Sequence, residues 1–195
     1  MKSLEAIHKA IMEDPANRAA TDQGIGPLYS ASEQSRIAII GQAPGRKAQD
    51  SAIPWCDASG VTLRDWLGVS EDQFYDTKLV AILPMDFYYP GKGPHGDLPP
   101  RDGFASTWHP MILADLNELQ LTVLIGRYAQ KAYLGSARKT NLTETVRSFR
   151  EYLPRYFPLV HPSPRNFRWQ AKNPWFMENV LPTLRDTVAG ALTGA

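Results

Sequence analysis

Cysteine is nearly absent from this chain: Cys56 stands alone among 195 residues. One thiol cannot close an intramolecular disulfide, fill a four-cysteine zinc site or hold an ordinary iron–sulfur cluster. With no cysteine pair and no H-E-x-x-H spacing, no metal site and no cofactor are expected, and the expected setting is reducing and intracellular, the cytoplasm. Long apolar runs are lacking too. Nothing approaches the roughly 20 residues needed to span a bilayer, and the opening MKSLEAIHKAIMEDP alternates apolar and charged residues where a signal peptide needs an unbroken apolar core. Excess charge is also missing, with 21 Lys and Arg against 20 Asp and Glu. A polybasic tail is thereby excluded, and a nucleic-acid partner would have to be held by local positive charge. Internal repeats and low-complexity tracts are absent as well.

What remains is an ordinary folded composition, 43% apolar and 21% charged, in a length that suits one domain over residues 1–195. Leu4, Ile7, Ile11 and Met12 fall at helical spacing and Pro15 marks a stop, so residues 1–35 read as an N-terminal helix and a long connection. Short β-branched or apolar runs follow: RIAII at 36–40, KLVAIL at 78–83, LTVLIG at 121–126 and YFPLV at 156–160. Between them, VTLRDWLGV, ASTWHPMILADLNEL, RYAQKAYLG and TNLTETVRSFREYL read as helices, the last with a capping box at Thr140 to Thr143 with Glu144. PWFMENVLPTLRDTVAGAL closes the chain as a helix containing a proline, while DFYYPGKGPHGDLPPRDGF, which holds His95, is a Pro- and Gly-rich loop. Strands alternating with helices predict an α/β three-layer sandwich, a central, mostly parallel four-stranded sheet flanked by helices.

In such sheets ligands bind outside the carboxyl ends of the strands. Two loops of unusual chemistry fall there: GQAPG at 41–45 after the first strand, and HPSPRN at 161–166 after the fourth. GQAPG serves equally as a tight turn or a ligand loop, but it lacks the Lys-Ser/Thr ending of a P-loop and so disfavours a nucleoside triphosphate. In HPSPRN the prolines hold His161 and Ser163 out of helix, so polar side chains are presented from a stiff frame. Trp55 and Asp57, in IPWCDASG, have a double reading: core residue and helix cap, or flat surface for a base and carboxylate facing a developing cation. Downstream, RNFRWQAKNPW interleaves Arg165, Arg168 and Lys172 with Phe167, Trp169 and Trp175; cations can neutralise phosphates, and the aromatics stack on bases or pack beneath the loop.

The two loops in this strand context resemble the active-site motifs of the uracil-DNA glycosylase superfamily, from about Arg36 to about Leu184. HPSPRN is most similar to the second motif of single-strand-selective members and their bacterial relatives, and IPWCDASG is similar to a segment of thermophile-type enzymes. The resemblance implies base excision: a deaminated base, uracil or hypoxanthine, is flipped out of DNA and its N-glycosidic bond is hydrolysed. It implies that His161 donates a hydrogen bond to the departing base, with the backbone of Gly41, Gln42 and Ala43 assisting, and that Trp55 stacks on the base. Ser163, Pro164 and Arg165 would engage DNA, Pro164 or Arg165 as a wedge, and Arg168 and Lys172 would meet phosphates.

Two departures accompany the likeness. Relatives carry Asp, Glu or Asn in the first motif, where this chain has Gln42 and Ala43; Asp57, in a DASG matching one branch, is therefore the expected carboxylate, with Asp50 in reserve. Uracil readers place an asparagine near the end of the second strand, where this chain has Leu83 or Pro84. The expected protein is a monomeric DNA glycosylase; a DNA-damage-binding module without activity and a hydrolase of free nucleosides or nucleotides on the same fold are the alternatives.

Overall fold

Four short apolar segments pair into the sheet that organises this chain, and the helices follow from what lies between them. The computed structural model describes residues 3–94 and 96–194; His95 lies outside the described residues. In chain order the elements are α1 (Leu4–Glu13), α2 (Arg18–Thr21), β1 (Ile37–Ile40), α3 (Arg46–Ser51), α4 (Ala58–Leu67), α5 (Glu71–Tyr75), β2 (Val80–Ile82), β3 (Lys92–Gly93) and β4 (Gly96–Asp97). They continue as α6 (Phe104–Leu113), β5 (Leu121–Ile125), α7 (Gly126–Leu134), α8 (Leu142–Arg147), β6 (Tyr156–Leu159), α9 (Phe167–Lys172) and α10 (Leu181–Thr193).

The main sheet has the order β2-β1-β5-β6 with every pair parallel, as expected for strands linked by helical crossovers. Side chains alternate through it. Ile37 and Ile39 of β1 join one core with Leu63, Trp66 and Leu67 of α4 and with Leu184 and Val188 of α10. Ala38 and Ile40 join the other, with Ile7 and Ile11 of α1 and Trp108 and Ile112 of α6. Each fully buried Ile, Leu or Phe contributes roughly 1.5–3 kcal/mol relative to its exposed state, so the two cores clamp the sheet from both faces. The strand order also explains Pro158. It lies in β6, at the edge of the sheet, where a missing N–H costs no ladder bond on the open side.

Several sequence expectations need correction. The connection after α1 is partly helical, because Asp14 caps a short 3-10 turn at Pro15–Asn17 and the Thr21 hydroxyl reaches back to the Met12 carbonyl. The cap of α8 is Asn141, whose side chain accepts from the Glu144 N–H, and Thr140 does not serve. TNLTETVRSFREYL is not one helix: α8 ends at Arg147 and a 3-10 segment, Phe149–Tyr152, follows. The proline of the last helix, Pro182, sits in the first turn of α10, directly after a π-helical stretch at Phe176–Val180, where its missing donor is harmless. In the Pro- and Gly-rich loop, β3 and β4 pair as a small antiparallel hairpin.

Candidate active site

A cleft of ≈ 580 Å³ opens at the carboxyl ends of the main strands, within the size range of small-ligand sites. GQAPG forms its floor. The carbonyls of Gly41 and Gln42 accept from the Met85 and Asp86 amides, which locks the loop to the end of β2. Trp55 forms one wall. A Cβ on Gly41 would approach the Trp55 ring to 3.1 Å, so only glycine lets the indole lie this close across the loop.

Trp55 is held in a left-handed conformation, with φ of 56°, uncommon for a residue with a side chain. Two contacts fix it there. The Tyr75 hydroxyl donates to the Pro54 carbonyl at 2.9 Å, and the helix behind begins so close that a Cβ on Gly60 would stand 1.8 Å from the Trp55 carbonyl oxygen. The DASG sequence therefore has local physical reasons. Asp57 is the N-cap of α4, its side chain accepting from the Gly60 N–H at 3.1 Å, and Gly60 admits the chain that carries Trp55. Asp57 caps the helix and also lines the cleft.

His161 faces Trp55, with ring centroids 5.6 Å apart and a tilt of 34°. Its loop is rigid: Asn166 donates to the His161 carbonyl at 2.6 Å, and the Ser163 hydroxyl accepts from the Arg165 N–H at 3.2 Å. Burial depresses the basicity of the His161 imidazole, partly offset by the Asp57 carboxylate. A neutral ring beside a carboxylate can donate one N–H to an anionic oxygen while the carboxylate faces a cation.

Gly41, Gln42, Ala43, Trp55, Asp57 and His161 thus converge on one cleft, and Arg165 joins them at its mouth. The other expected residues do not. Leu83 is 0% exposed and packs into the core behind the cleft, because the alternation that points Leu83 inward leaves its neighbours Ile82 and Pro84 to line the wall. Ser163 serves as the cap just described, Pro164 is exposed beside it, and Arg168 and Lys172 sit on the exposed side of α9 away from the lining. Asp50 is exposed on α3 and does not reach the cleft. Of the nearby aromatics, Trp169 and Trp175 pack against the core, Trp169 donating to the Thr143 hydroxyl at 2.9 Å, whereas Phe167 is 62% exposed.

Sequence reasoning missed part of the rim. Lys47 from α3, Arg127 and Tyr128 from the first turn of α7, and Asp97 from β4 also line the cleft. Arg127 and Tyr128 directly follow β5, so the rule that ligands bind at strand carboxyl ends points to them. Asp97 carried no such signal, since Gly- and Pro-rich sequence gives no strand periodicity. Among the described residues no group of three or more His, Cys, Asp or Glu is gathered as a metal site, and no helix is long and apolar enough to cross a membrane.

Fold and cleft together define an open-sheet α/β protein whose cleft lies at the carboxyl ends of parallel strands, between an aromatic wall and a histidine of lowered basicity. The family model of the uracil DNA glycosylase superfamily matches residues 28–185, and the chain belongs to that superfamily. A glycosylase-type function with DNA as partner follows in general terms.

Proposed function

We propose that the protein is a monofunctional DNA glycosylase that excises a deaminated base, uracil or hypoxanthine, after flipping it into the cleft. The observation that carries this reading is the convergence of Trp55, Asp57 and His161 on one cleft at the strand ends. The flipped base stacks against the Trp55 indole. As the bond from C1′ to the base nitrogen breaks, its electron pair passes to the base and spreads over its nitrogens and carbonyl oxygens, and the His161 N–H stabilises it at the acceptor beside the broken bond, O2 of uracil or N3 of hypoxanthine. The sugar becomes an oxocarbenium ion facing the Asp57 carboxylate. Water then adds to C1′ and gives up one proton, the base anion takes up one proton, and the products are the abasic sugar with its new C1′ hydroxyl and the neutral base. Asp57 also orients that water.

Lys47, Arg127 and Arg165 around the opening favour DNA over a free nucleoside, because phosphates flanking a flipped nucleotide lie where such cations stand. The test is incubation with oligonucleotides carrying uracil or hypoxanthine, followed by alkaline cleavage at abasic sites. Asp57→Asn and His161→Ala should each slow release by roughly 10²- to 10⁴-fold with DNA binding retained. Full activity in Asp57→Asn would remove the carboxylate from this role. Tight binding to damaged DNA with no release by the wild type would instead support a damage-binding module, a reading that the uncharged GQAPG loop favours.

A further inference from the structure

The β3–β4 hairpin brings a second carboxylate to the cleft. A Cβ on Gly45 would stand 4.0 Å from Asp97 Oδ2, whereas at the other end of the same loop Gly41 meets Trp55. GQAPG therefore runs from the aromatic wall to Asp97, and His161, beside Trp55, belongs to the opposite end. The hairpin is anchored. The Gln42 side-chain amide donates to the Leu98 carbonyl at 3.2 Å, and the Tyr89 hydroxyl donates to Asp97 Oδ1 at 3.3 Å. The Tyr89 N–H is in turn held by Gln49 Oε1 at 2.8 Å. At the end of β2 the wall is Ile82 and Pro84, which offer no side-chain hydrogen bond to a base. Beside Gln42, whose amide keeps one N–H on the Leu98 carbonyl, Asp97 is the charged side chain on this wall that can accept from a base edge.

We propose that Asp97 determines which base is excised, selecting hypoxanthine and discriminating against uracil and xanthine; this rests on the glycosylase reading above. A base whose sugar-bearing side meets His161 and Asp57 turns its hydrogen-bonding edge toward the hairpin. A carboxylate accepts hydrogen bonds and donates none. Uracil presents N3–H between two carbonyl oxygens, so a facing carboxylate gains one hydrogen bond and meets two repulsive acceptors. Xanthine repeats that pattern around N1–H. Hypoxanthine has N1–H beside one carbonyl only, the other neighbour being the C2–H, and so meets one repulsion fewer. An asparagine, which offers a donor as well as an acceptor, would remove the discrimination.

Single-turnover release from single-stranded oligonucleotides carrying hypoxanthine, uracil or xanthine tests this, because the unpaired strand removes differences in flipping cost. The wild type should release hypoxanthine fastest. Asp97→Asn should raise the uracil-to-hypoxanthine ratio by about tenfold or more, and Asp97→Glu should keep the wild-type order. Asp97 is exposed, so the variants should melt with the wild type. Uracil or xanthine release as fast as hypoxanthine in the wild type overturns the proposal, as does an unchanged ratio in Asp97→Asn, and both leave the glycosylase reading standing. No release from any substrate overturns both.

Discussion

A methyl group added at position 60 would lie 1.8 Å from the Trp55 carbonyl oxygen, a distance no side-chain rotation can relieve, since a Cβ is fixed by its own backbone and the oxygen it meets is backbone. Gly60→Ala should therefore push the Trp55–Asp57 segment off the start of α4, with the cap bond from Asp57 lost together with the aromatic wall. The expected outcome is destabilisation by about 1–3 kcal/mol and base release reduced at least as far as in Asp57→Asn, read by thermal melting and single-turnover assay. Gly41→Ala makes an informative contrast. There the added carbon meets the edge of the Trp55 ring at 3.1 Å, and the ring can give by a few tenths of an ångström. Stability should change little while release slows, because the indole shifts within the cleft but the backbone does not. Strain at Trp55 and close approach at two glycines thus serve the same side chain.

At the scale of elements, buried polar groups join the helices to the ends of the strands. Asp86, 0% exposed just beyond β2, accepts from the Tyr88 N–H and from the backbone N–H, Nε and Nη2 of Arg101. Arg101 continues to Asn17 Oδ1 at 2.8 Å, so the pair ties the segment after α1 to the loop that carries the hairpin. Arg101→Ala leaves a buried carboxylate without its cation, held by two backbone N–H groups alone, and should cost about 3 kcal/mol in urea unfolding. His109 of α6 joins two more elements: its Nε2 donates to the Pro84 carbonyl at 3.0 Å, and its Nδ1 accepts from the Tyr133 hydroxyl of α7 at 2.6 Å. Burial pushes its pKa down from 6.5 to about 4, so as pH falls the unfolded chain takes up the proton first. Stability should be full above about pH 6.5 and decline toward pH 4 by roughly 3 kcal/mol from this group, with half-buried His161 acting in the same direction. His109→Gln, which cannot titrate, should flatten the curve between those limits. These contacts also mark what the sequence made legible. The four main strands and the shared placement of GQAPG and HPSPRN could be read because periodicity, glycine and proline are local signals, whereas DASG was joined to them only by its likeness to the superfamily. The hairpin could not, since Lys92–Gly93 and Gly96–Asp97 are too short to alternate and are placed by hydrogen bonds to Gln42 and Gln49 from far along the chain. Leu83 was misplaced for a simpler reason: one residue along a strand reverses the face.

Across the whole molecule the formal charge is only +1, so DNA affinity cannot come from a general cationic surface. In our proposal it comes from the rim, where Lys47, Arg127 and Arg165 line the opening from α3, from the turn after β5 and from the loop after β6. Each phosphate neutralised releases condensed counterions, which makes the salt dependence a count of contacts. Three contacts predict that log Kobs falls against log salt with a slope of about −2 on single strands and about −3 on duplex. Arg127→Ala and Arg165→Ala should each reduce that slope by about one, with little change in the order of base preference, because phosphate contacts carry no base information. Lys172→Ala, on α9 and outside the cleft lining, should change the slope less than either. A binding titration over a series of salt concentrations separates these outcomes. If Arg127→Ala leaves the slope intact while Lys172→Ala lowers it, the strand runs over α9 and the cations of the cleft mouth serve another end.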